Sequence, residues 1–116
     1  MKISGLITNL MFVGNIAKSA KFYEQLFQVT PIEIEENFCS FKLGSSYFNL
    51  HPSDELSPIS KGGSVGYWHV EDLTSFVKHA ESIGAKVYRG PLYVKEINRT
   101  ICQLEDPMGN IIGVEG

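Results

Sequence analysis

Two stretches of this chain share one grammar: a short run of strand formers, a small polar cap, an amphipathic helical segment, and then more strand-like sequence. In the first, Ile16 to Phe27 reads IAKSAKFYEQLF and sets Ile16, Ala20, Tyr23 and Phe27 at spacings of four, three and four, which is one face of a helix. Phe22 and Leu26 widen that stripe. In the second, Leu73 to Ile83 reads LTSFVKHAESI and carries Leu73, Phe76, Val77, Ala80 and Ile83 at helical spacing. An offset of 57 residues lays Val13 on Val70, Ile16 on Leu73, Ala20 on Val77 and Leu26 on Ile83. Any two amphipathic helices can be slid into partial agreement, but here the order of element types repeats as well.

The boundaries follow from local chemistry. Asn15 and Asp72 are N-cap candidates, because a short polar side chain can accept a hydrogen bond from a free amide of the first turn. Gly84 closes the second helix, since glycine adopts the left-handed conformation of a helix end without side-chain strain. Strands are predicted at the far end of Ile3–Val13, then at Ile32–Glu36, Phe38–Leu43 and Ser46–Leu50. Ser64–Val70, Ala85–Tyr88, Arg99–Leu104 and Ile111–Glu115 form the second set, with Pro91–Asn98 read as a loop and Asp106–Asn110 as a tight turn. Glu33 and Glu35 fit the solvated face of an edge strand, with Ile32 and Ile34 on the other.

The expected fold is therefore α+β: paired βαβββ modules, residues 4–52 and 64–115, joined by the aperiodic linker 53–63 within a single domain spanning 1–116. One helix would cover one face of each curved mixed sheet. The opposite faces, turned toward each other, would enclose a cleft.

Composition narrows the function classes. Of the 116 residues, 43% are hydrophobic and 20% charged, enough apolar material to fold, and the formal charge is −3. That balance argues against a bulk electrostatic hold on phosphates, and the basic residues are dispersed, so no nucleic-acid partner is expected. No run approaches a membrane span and the N-terminal stretch lacks the pattern of a secretion signal, so no membrane partner is expected and the setting is read as cytoplasmic. Cys39 and Cys102 have no CxxC spacing and are expected to be buried thiols. The glycines form neither a GxGxxG nor a Walker pattern.

The sequence resembles the vicinal oxygen chelate superfamily, which contains glyoxalase I, bleomycin-resistance proteins, fosfomycin-resistance enzymes and extradiol dioxygenases. The matching stretches are VGNIAKSAKFYEQLF (Val13–Phe27), HVEDLTSFVKHAESIGAKV (His69–Val87) and LEDPMGNII (Leu104–Ile112), the last close to the family's Asp-Pro-x-Gly-Asn turn. Metal-dependent members take ligands, usually His or Glu, from four strand positions. By the resemblance these positions fall on Thr8, at or near Asn49, on Val65 and on Gly113. None is a His or a carboxylate, and valine and glycine have no donor side chain at all. The resemblance thus implies a member without the family metal site and with no cofactor. Alternation leaves one substitute open: His51, His69 and Glu115 have acceptable chemistry for zinc or iron, although no HxH or HExxH spacing ties them together.

With the metal gone, binding remains. Alternation assigns to the cleft Leu10 and Phe12 from the first strand, Tyr47 and Asn49 from the fourth, Tyr67 and His69 from the fifth, and Gln103 and Glu105 from the seventh. This aromatic lining with a few polar groups suits an aromatic or amphipathic small organic molecule. Phe22, Tyr23 and Trp68 read as core. Asp54 and Glu55 of the linker, with Glu33, Glu35 and Glu36, are either a solvated surface or an attraction for a cationic ligand. The reading is a homodimeric, metal-independent binder resembling bleomycin-resistance proteins. Its alternatives are a metal-dependent lyase, isomerase or dioxygenase with substituted ligands, and a non-enzymatic scaffold.

Overall fold

A computed structural model describes residues 1–116. The chain divides into two compact units, Met1–Ile59 and Ser60–Gly116. The first contains β1 (Thr8–Val13), α1 (Ile16–Phe27), β2 (Glu33–Glu35), β3 (Phe38–Leu43) and β4 (Ser46–Pro52). The second contains β5 (Tyr67–His69), α2 (Leu73–Ser82), β6 (Lys86–Val94), β7 (Arg99–Glu105) and β8 (Ile111–Glu115). Each unit is one four-stranded mixed sheet with one helix, in the orders β1-β4-β3-β2 and β5-β8-β7-β6. In both, the strand before the helix runs parallel to the last strand of the unit, and the remaining pairs are antiparallel. The repeated grammar of the sequence is thus a repeated topology.

Both helices start where their caps require. Asn15 Oδ1 accepts from the Lys18 backbone N–H at 2.9 Å, and Asp72 Oδ1 accepts from that of Ser75 at 3.0 Å. Each bond satisfies an amide the first turn leaves without a helical acceptor. Gly84, at φ +108°, ends the second helix: its own N–H reaches Glu81 O and the following Ala85 N–H reaches Ala80 O.

The first unit's core lies between α1 and its sheet. Ile16, Ala20, Phe22, Tyr23 and Leu26 of the helix are buried with Val13, Cys39, Phe41, Phe48 and Leu50 of the strands. Tyr23 meets Phe48 edge to face at 4.8 Å and Phe22 at 5.0 Å, so the Phe-Tyr pair belongs to the core as expected. In the second unit Val77, Ala80 and Ala85 are buried with Cys102, Leu104, Ile112 and Val114. Trp68, half-buried, registers with Val114 and so shares the helix-covered side.

Several features depart from the sequence reading. Strand β5 has three residues where Ser64–Val70 is predicted, which leaves Val65 outside the strand. It is an edge strand whose only ladder is with β8, and the bond from Gly113 N–H to the Gly66 carbonyl, 3.2 Å, carries the pairing one residue back from Tyr67. Strand β6 continues to Val94, through most of what reads as a loop, with register shifts between Val87 and Arg89 and between Arg89 and Leu92. It is an edge strand, where a proline such as Pro91 removes no obligatory ladder bond and bulges absorb the extra residues. Gly90 permits the second bulge: it sits at φ +87°, and a Cβ there would be 2.9 Å from Ile101 O. Strand β4 runs two residues further, to Pro52, because β1 pairs with it to its end. Finally, Ile32 and Ile34 are exposed, since α1 packs on β3 and β4 and does not reach the short edge strand β2.

Candidate functional site

In each unit the helix covers one sheet face and leaves the other open, and period-two alternation sorts the strand residues between them. On the first unit's open face Leu10 registers with Asn49 and Phe12 with His51, while Thr8 registers with Tyr47. All four residues expected there, Leu10, Phe12, Tyr47 and Asn49, therefore share it. Phe12 meets the His51 ring edge-on at 5.6 Å. His51 Nδ1 lies 2.9 Å from the Pro52 carbonyl, which makes that nitrogen the protonated one. Ser40 Oγ donates to Asn49 Oδ1 at 2.5 Å, and the Lys42 ammonium lies 5.2 Å from the centre of the Tyr47 ring. Ser40 and Lys42 were missed by the sequence reading, although the alternation of β3 would have placed both on this face.

The second unit's open face holds Tyr67, His69, Gln103 and Glu105, again as expected. Tyr67, Gly113 and Gln103 form one row across β5, β8 and β7, and the row continues onto β6 at Arg89. Gln103 Nε2 donates to the Tyr67 hydroxyl at 2.8 Å. Gly113 makes this possible: a Cβ there would lie 2.8 Å from Cδ1 and 2.9 Å from Cε1 of Tyr67, so the phenol ring lies down across the glycine and reaches toward β7. The next row pairs His69 with Glu115 and Glu115 with Ile101. Two carboxylates on this face are taken up by cations: Glu105 by Lys61 at 3.1 Å and Glu115 by Arg99 at 3.2 Å. Lys61 comes from an aperiodic segment, and no pattern in the sequence links it to Glu105. Arg99 was legible only as a strand residue.

The residues that the resemblance sets at the family's metal positions offer a divalent ion little. Thr8 and Asn49 offer neutral oxygens, and Asn49 Oδ1 is already bonded to Ser40. Val65 has no donor, and the space above Gly113 is filled by an aromatic ring. In the substitute set, Glu115 is held by Arg99, and no three His, Cys, Asp or Glu side chains converge where an ion could sit.

The thiols are inert. Burial, with a contribution from Glu24, pushes the Cys39 thiol up to about 11, and burial with Glu81 raises that of Cys102. The Asp72 carboxyl is lowered by its bonds to the backbone N–H and hydroxyl of Ser75. On the helix side of the second unit a cavity of about 600 Å³ opens between α2 and β6, floored by Leu73, Val77, Val87 and Pro91. None of the expected site residues lines it.

The family model described as "Glyoxalase/Bleomycin resistance protein/Dioxygenase superfamily" matches residues 5–114. A trivalent organoarsenical cleaving enzyme of Bacillus sp. (strain MD1) is 29% identical, over 84% of this chain and 64% of its own length. The chain thus spans somewhat less than two thirds of that relative. Among solved structures, a glyoxalase/bleomycin resistance protein/dioxygenase family enzyme from Burkholderia phytofirmans PsJN superposes with a TM-score of 0.79 at 19% identity, covering 97% of this chain and 98% of that one. An integron cassette protein from the mobile metagenome of V. cholerae gives a TM-score of 0.72 at 26% identity, covering 99% and 96%.

Proposed function

We propose, from the premise that this chain belongs to the glyoxalase/bleomycin resistance protein/dioxygenase superfamily, that it binds a small aromatic or amphipathic organic molecule on its open sheet faces without a metal. The observation that carries this reading is the row Tyr67–Gly113–Gln103. At the position where the family takes its fourth ligand there is no donor side chain but a glycine roofed by a phenol ring, and the polar function on offer is a hydrogen-bonded hydroxyl. On the first unit's open face, apolar surface from Leu10, Phe12 and Tyr47 supplies contact area and Asn49 and Ser40 set orientation; on the second unit's open face, Tyr67 supplies the ring and Gln103 the orienting amide.

Organoarsenical cleavage, the activity in the name of the Bacillus relative, gains no support from the residues here. Trivalent arsenic seeks thiolates, and both thiols are buried and held protonated. A homodimer is part of the proposal. Ile34 on β2, Ile32 just before it, and Leu92 and Tyr93 on β6 are exposed at sheet edges, apolar surface of the kind that association covers. A cytoplasmic setting fits two thiols kept as thiols.

A library of aromatic fragments, followed by backbone amide shifts, tests the binding reading. Shifts are expected at open-face residues such as Phe12, Asn49, Tyr67 and Gln103. Shifts confined to Leu73, Val77 and Val87 would transfer the function to the helix-side cavity and overturn the proposal, and so would the absence of any shift.

A further inference from the structure

We propose that Arg89 and the hydroxyl of Tyr67 form an oxyanion subsite on the open face of the second unit, one that receives the carboxylate of a small aromatic acid. This rests on the reading of the open face as the binding face and names the ligand class that face selects.

A phenol has one proton to donate and lone pairs to accept with. Gln103 Nε2 donates to the Tyr67 oxygen, so the phenol's own proton is not spent on Gln103. It is left directed away from the amide, as a donor to whatever lies on the face. Gln103 is thus a positioning residue: it fixes the sense of the Tyr67 hydrogen bond. The reach of that hydroxyl is set by Gly113, over which the ring lies flat, so that a side chain rooted on β5 delivers its polar atom to Gln103 on β7.

Arg89 is the next member of the same row. The ladder sets it opposite Gln103, and directly opposed residues of an antiparallel pair share a face with roots about 5 Å apart. The register shift between Val87 and Arg89 achieves this, since an unbroken alternation from Lys86, which opposes Glu105, would bring residue 88 opposite Gln103 instead. Charge completes the case. The two carboxylates among the β7 and β8 residues of this face, Glu105 and Glu115, are matched by Lys61 and Arg99, whereas Arg89 has no ion-pair partner. A planar guanidinium beside an outward-directed hydroxyl donor is a setting for a carboxylate, whose two oxygens accept from both. An ammonium would meet donors only. This opposes the expectation that acidic residues draw a cationic ligand.

Benzoate, benzamide and benzylammonium share a ring and differ in the group presented, so they serve as probes, with affinities read from amide shifts of the full chain. Benzoate is expected to bind at least about tenfold more tightly than the other two, the scale of one charge-assisted hydrogen bond. Arg89→Gln should abolish that preference, weakening benzoate by about tenfold and benzamide by far less. Lys95→Gln, which removes the same charge from the turn after β6, should leave the preference intact. Gln103→Glu should abolish it too, because the new carboxylate captures the phenol proton. Tyr67→Phe should weaken benzoate several-fold with less effect on benzamide. Equal binding of the three probes at open-face residues, or a preference that survives Arg89→Gln, would overturn the subsite and leave the binding reading standing. No open-face shift with any of the three would overturn both.

Discussion

The ring of Tyr67 occupies the space into which any side chain at position 113 would have to grow. A Cβ on Gly113 would sit 2.8 Å from Tyr67 Cδ1, and 2.7 Å from the carbonyl oxygen of Gly66, the residue that leads into β5. The first obstacle can rotate away. The second is backbone, and can yield only by separating the parallel pair β5–β8.

Gly113→Ala should therefore destabilise the protein by about 1–3 kcal/mol, the usual cost of forcing extra volume into a packed site. Thermal or urea unfolding measures it. Combining it with Tyr67→Ala should recover only part of the loss, because the clash with the Gly66 carbonyl persists. Full recovery would show that the ring alone governs the site.

Metal content is the second test. Protein purified without a His-tag should carry well under one zinc, nickel, iron or manganese per chain, and a chelator should leave its melting temperature unchanged, since no ion-binding free energy would be removed. Stoichiometric metal that disappears in His69→Ala would show that strand-end histidines rebuild a site, and would move the preferred function to metal-assisted chemistry.

Sedimentation equilibrium at micromolar protein should give a mass near twice 12.9 kDa. Charged substitutions at Leu92 and Tyr93, exposed on the edge strand β6, should shift the equilibrium toward monomer if that edge lies in the contact. A concentration-independent mass of one chain would refute the dimer.

The buried thiols make stability depend on pH in the alkaline range. The folded-state value of Cys39 lies above the unfolded one, so its contribution is fully present below about 9 and is lost as pH rises from there through about 11. Cys102 acts in the same direction. Urea midpoints should fall over that window, and Cys39→Ala should show a shallower fall than the parent. In the native protein both thiols should react with a disulfide reagent far more slowly than after unfolding.

The local rules carried a good part of this protein. Helix spacing and caps located α1 to the residue and α2 to within one, because Asn15, Asp72 and Gly84 act on amides and carbonyls only a few positions away. Alternation sorted Leu10, Phe12, Tyr47, Asn49, Tyr67, His69, Gln103 and Glu105 onto open faces, because a strand's two sides are decided by its own pleat. What the chain could not announce one residue at a time was pairing. The truncation of β5, the bulged extension of β6 and the exposure of Ile34 depend on which strand is a neighbour and how far a helix reaches. So do the contacts that give the candidate site its chemistry: Lys61 on Glu105, Arg99 on Glu115, and Tyr67 laid over Gly113 to meet Gln103, a bond between residues 36 positions apart. Side-chain type and spacing determined which groups face outward. Only the tertiary structure, through the register of β5, β7 and β8 and the path of the segment that carries Lys61, decided which of them touch, because hydrogen bonds and ion pairs form between atoms a few ångströms apart, and sequence distance is no measure of that.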